Sequence, residues 1–109
     1  MIINFKEMNE AIIPAFKGGE KEFAVKMFDD ESNKIMSGRL IPGASIGLHT
    51  HEGNCEIIYI LEGCGKVLYD GTEQSISAGM CHYCPEGHSH SLINDSDKEL
   101  LFFAVVPSK

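Results

Sequence analysis

All five histidines of this 109-residue chain fall between His49 and His90, and the first 48 residues contain none. His49 and His51 are two apart in a run of strand character, so both imidazoles project to one face. Glu56, which opens the next such run, can reach the space above them. Imidazoles and a carboxylate that meet in this way suit a metal. The mixed nitrogen and oxygen donors favour a borderline divalent ion (Fe, Mn, Co, Ni, Cu or Zn) over Ca or Mg.

The elements that must position these groups are short. From Glu22 onward the sequence breaks into strand-like runs separated by Gly, Pro, Asn and Asp, the pattern of an all-β sandwich or barrel. Strands are expected at Phe23 to Phe28, Met36 to Ile41, Ser45 to His51, Glu56 to Leu61, Lys66 to Tyr69, Thr72 to Ile76, His82 to Cys84, His88 to Asn94 and Leu100 to Val106. Asp70-Gly71 predicts a type I′ hairpin, because both central residues of that turn need positive φ. Pro42-Gly43 and Pro85-Glu86-Gly87 are further turns, and Asp29 to Asn33 form a polar loop. Residues 1–22 read as an irregular arm with one short strand or helical turn, and residues 23–109 as a single domain.

Strand parity puts Ser45 and Gly47 on the same face as the histidines, Ile58 and Ile60 with Glu56, and Leu92 with His90. The floor of such a pocket is small and apolar, suited to a compact ligand with one or two oxygen donors.

Composition removes several classes of function. At 43% hydrophobic and 23% charged residues the chain is an ordinary globular protein. Its net charge of −7, with nine scattered basic residues, opposes a nucleic-acid partner. The longest apolar runs have strand length, far short of the roughly 20 residues that span a bilayer. No basic and apolar leader is readable at Met1 to Glu7, which predicts a cytoplasmic protein with its four cysteines as thiols. Cys81 and Cys84 are three apart on a strand and face opposite sides, so they read as independent thiols.

The wider spacing resembles that of the cupin superfamily. Gly43, His49, His51, Glu56 and Gly63 match its first motif, and Gly79, Pro85, Gly87, His90 and Asn94 match its second. At roughly 5% usage per residue type, a chance match at these ten positions is on the order of 10⁻¹³. Met80 stands where many members carry Asp. The resemblance implies a double-stranded β-helix, or jelly-roll barrel, following the short N-terminal arm. It also implies one divalent transition metal held by His49, His51, Glu56 and His90, with one or two coordination positions left open, and association as a homodimer through an exposed sheet.

Several residues around that site are secondary candidates. His88 shares parity with His90 and could serve as an acid or base at the mouth, as could Glu52 from the turn before Glu56. His82 lies one strand earlier. Arg39, the only arginine, could hold a substrate carboxylate or phosphate, and Tyr59 could line the ligand site. The leading functional expectation is a metal-dependent enzyme, of dioxygenase or isomerase/decarboxylase type, acting on a small organic acid, sugar derivative or aromatic compound. The alternative is a metal-assisted small-molecule binding or sensing protein.

Overall fold

A computed structural model describes residues 1–108. Its ten strands are β1 (Ala11–Pro14), β2 (Glu22–Asp29), β3 (Asn33–Leu40), β4 (Ser45–Thr50), β5 (Glu56–Glu62), β6 (Cys64–Tyr69), β7 (Thr72–Ser77), β8 (Cys81–Cys84), β9 (Ser89–Ile93) and β10 (Leu100–Pro107). They form two antiparallel sheets, β1-β2-β3-β10-β5-β8 and β4-β9-β6-β7, closed face to face as a jelly-roll barrel. The helical content is two 3-10 turns, Phe5–Glu7 and Phe16–Gly18. No described helix is long and apolar enough to cross a membrane.

Alternation fills the interior as period-2 patterning requires. Leu100, Phe102, Ala104 and Val106 on β10 and Ile58 and Ile60 on β5 point inward, where they meet Phe23, Leu40 and Leu92. The Phe102 ring stacks on Phe23 with centroids 5.8 Å apart. It also lies against the bare Cα of Gly38, where any Cβ would overlap the ring. Asp70 (φ 47°) and Gly71 (φ 82°) make the predicted hairpin, with Tyr69 paired to Thr72. Asn94 is fully buried. Its amide donates to the Leu40 and Lys98 carbonyls, while its own backbone carbonyl accepts from Gly43 N–H, so this one residue ties the β3–β4 and β9–β10 connections together.

One expectation about the interior fails. Ile46 pairs with Leu92 and His49 with His90, so three steps on β4 oppose two on β9. A β-bulge between them absorbs the extra residue. Ile46 and His49 therefore both face inward, whereas Ser45 and Gly47 turn outward under the N-terminal arm. Simple parity counting does not survive an inserted residue.

Candidate metal centre

His49 sits near the end of β4, His90 lies opposite it on β9, Glu56 begins β5, and His51 follows β4 by one residue. The 51–55 turn that carries His51 to Glu56 is pinned on both sides. His51 N–H donates to the His88 carbonyl (3.1 Å) and Gly87 N–H to the His51 carbonyl (2.7 Å). Gly53, at φ 75°, supplies the left-handed residue the turn needs, and its N–H donates to Glu86 Oε2.

The four side chains converge through one atom each. His51 Nε2 and His90 Nε2 are 2.9 Å apart, and His90 Nε2 and His49 Nε2 are 3.1 Å apart. Glu56 Oε1 lies 3.0 Å from His90 Nε2, 3.2 Å from His51 Nε2 and 3.9 Å from His49 Nε2. Donors bonded to one ion at about 2.1 Å stand about 3.0 Å apart at right angles and about 3.4 Å apart in a tetrahedron. The four short separations match the right-angle value. These residues could hold a metal ion, as in cupins.

Each imidazole has at Nδ1 an acceptor that would fix the tautomer such an ion needs, with the proton on Nδ1 and Nε2 free to ligate. His49 Nδ1–H donates to the Gly47 carbonyl (2.7 Å) and His51 Nδ1–H to Asn54 Oδ1 (2.6 Å). With its Nε2 turned to an ion, His90 donates from Nδ1 to Nε2 of His82 at 3.0 Å. Burial holds His82 at about 4, well under its ordinary 6.5, so it is a neutral acceptor near pH 7. Burial also lowers His49. In the metal-free protein, burial favours the neutral acid of Glu56, but hydrogen bonds donated from Nε2 of His51 and His90 outweigh it and hold the carboxyl at about 2. The reciprocal contact raises His51. Cys84 approaches the His82 and His90 rings, and burial pushes its thiol up to about 11. It remains a neutral S–H, which donates to the His88 carbonyl.

A cavity of about 290 Å³ opens above these donors. Phe16, Lys17, Lys34 and Glu52 border its mouth, and Met27, Met36 and Ile46 contribute to its apolar wall. Among the secondary candidates only Glu52 lines it. His88 lies outside, stacked on Tyr69 and paired through Nδ1 with Asp70 at 2.5 Å. Arg39 projects from the outer face of β3 into ion pairs with Glu10 and Glu99. Tyr59 is exposed on the outer face of β5, with Phe103 as its neighbour on β10.

Parity with Cys84 on β8 would have placed His82 inside the barrel. Lys17 and Phe16 carried no motif, and nothing in their local sequence connects them to residues 49–56.

The family described as Cupin domain matches residues 37–106. An oxalate-binding protein of Thermotoga maritima is 32% identical over 97% of this chain and 93% of its own length. A crystal structure from Thermotoga maritima, described as a predicted oxalate decarboxylase, superposes with a TM-score of 0.94 at 31% identity, covering all of both chains. The polyketide cyclase RemF of Streptomyces resistomycificus shares the fold at TM-score 0.82 and 19% identity, over all of this chain and 80% of its own.

Proposed function

Because this chain belongs to the cupin family, we propose that it binds oxalate or a similarly small dicarboxylate at one divalent metal ion held by His49, His51, Glu56 and His90. The observation that carries the reading is the convergence of four buried or half-buried donor atoms, with four of their separations near the right-angle value. That spacing favours an ion of octahedral habit (Mn, Fe, Co or Ni) over tetrahedral Zn. His49 Nε2 and Glu56 Oε1 stand wider apart, at 3.9 Å, and four protein donors on an ion that accepts six would leave two positions for ligand oxygens. When bound, the ion supplies Lewis acidity.

The protein's own residues do the rest. Glu56 offsets part of the ion's charge, the Gly47 carbonyl, Asn54 and His82 fix the imidazoles, and the apolar wall limits the ligand to a compact body. The similarity to an oxalate-binding protein supports this ligand class.

Elemental analysis after chelation and metal back-titration should give one ion per chain, and calorimetry should then detect oxalate but a much weaker response to acetate. Absence of metal uptake overturns the reading. Catalytic turnover is the second reading, favoured by Glu52, a carboxylate at the mouth within the lining of the same cavity and available for proton transfer. Consumption of labelled oxalate by the metal-loaded protein, lost in Glu52→Gln with binding retained, is its test.

We also read the outer face of the larger sheet, where Ile57, Tyr59, Leu61 and Tyr83 are exposed, as the surface joining two copies. Light scattering should give twice the 12.0 kDa chain mass, and a monomeric mass at micromolar concentration refutes it.

A further inference from the structure

We infer that Lys17, carried by the N-terminal arm outside the matched family region, makes the metal cavity selective for anionic ligands by holding an ammonium at its mouth. The inference rests on the cavity being a ligand site, as proposed above, but not on oxalate being the ligand.

The arm segment from Ala15 to Lys21 has an uncommon backbone. Ala15, Lys17 and Lys21 all adopt left-handed conformations, at φ 50°, 56° and 55°, and Gly18 joins them at 81°. Each such non-glycine residue costs on the order of 1 kcal/mol, so surrounding contacts must hold the segment in place. Those contacts are made to β4. Glu20 N–H donates to Ser45 Oγ (2.9 Å), and Ser45 N–H donates to the Glu20 carbonyl (3.0 Å). Gly19 and Gly47 approach so closely that a Cβ on Gly47 would collide with the Lys17 carbonyl and the Gly19 nitrogen. The same Gly47 accepts the Nδ1–H of His49. The bulge in β4 exposes Gly47 to the arm, so one short stretch of strand both orients a donor imidazole and seats the loop bearing Lys17.

Within that loop the Lys17 ammonium stands 5.6 Å from the centroid of the Phe16 ring, and both residues border the cavity together with His49, His51 and Glu56. Lys34 contributes a second cation to the rim and Glu52 the single acid, while Glu56 lies below with the three histidines that would hold the ion. In a chain of net charge −7 the mouth is therefore locally cationic. It favours entry and retention of a carboxylate over a neutral donor of equal size.

The test uses full-length protein loaded with cobalt(II), read by visible absorption. Oxalate, azide and imidazole are titrated into wild type, Lys17→Met and Lys17→Arg. Lys17→Met should raise the dissociation constants for both anions about tenfold, about 1.4 kcal/mol. It should leave imidazole binding, cobalt affinity and the thermal midpoint unchanged, and Lys17→Arg should restore anion binding. The difference between Met and wild type should also narrow at high salt. Unchanged anion affinity in Lys17→Met, or equal weakening of imidazole, overturns the inference. If wild type binds azide but not oxalate, the oxalate reading fails, and the azide series alone decides the role of Lys17. If wild type binds none of the three probes, both readings fall.

Discussion

Replacing His82 by leucine removes the acceptor for His90 Nδ1 while keeping an apolar side chain in the barrel. His90 is 1% exposed, so no water substitutes for the lost partner. In the metal-free protein His90 can change tautomer, leaving Nδ1 bare and donating from Nε2 to Glu56 Oε1, 3.0 Å away. An ion on Nε2 removes that escape and forces the proton onto Nδ1, where it is buried without a partner. The cost of about 1–3 kcal/mol for a buried unpaired donor therefore falls chiefly on the metal-bound state. Metal affinity should drop roughly 5- to 150-fold, within the range usual for loss of a partner behind a ligating histidine. Competition against a chromophoric chelator measures this, with urea unfolding of the metal-free protein as the control. His82→Gln, whose amide oxygen can accept the same proton, should recover most of the affinity. Metal binding within twofold of wild type in His82→Leu, accompanied by lost metal-free stability, would refute the argument and make His82 a packing residue.

The metal-free protein should lose stability as the pH falls. Burial holds folded His82 at about 4 and His49 below 6.5, so the unfolded chain takes up their protons first and gains on the folded one from about pH 6.5 down to 4. His51, raised chiefly by Glu56, adds stability below 6.5 but is one group against two, and the contribution of Glu56, present above 4.5, disappears towards pH 2. Urea midpoints that rise between pH 6.5 and 4 would contradict this. Gly47→Ala should destabilise the fold by about 1–3 kcal/mol through collision with the arm, and should weaken metal binding by disturbing the acceptor of His49. Its urea midpoint and chelator competition report the two effects separately. Arg39→Gln should shift stability by no more than about 1 kcal/mol, because both ion pairs are partly exposed, and should leave oxalate calorimetry unchanged.

The sequence by itself determined the chemistry of the site. Residue types at fixed spacing along strands carry their own geometry. Glu56 and His90 alternate with outward residues on unbroken strands, and their positions within two motifs already implied that they meet His49 and His51. The turns at Asp70-Gly71 and Pro85 to Gly87 were legible for the same local reason, since glycine admits the positive φ a tight turn needs and proline fixes φ near about −65° wherever they stand. The tertiary structure decided what depends on contacts between distant segments. The bulge in β4 turns Ile46 inward and Gly47 outward, and it arises from register against β9 that no local pattern records. The roles of Asn54 and His82 follow from which atom lies behind each imidazole. The approach of Lys17 to the cavity depends on two glycines, Gly19 and Gly47, being pressed together by the packing of the arm on the barrel. Donor identity is local and readable in the sequence, whereas the hydrogen-bond partners and rim charges that select a ligand depend on which distant segments the fold brings together.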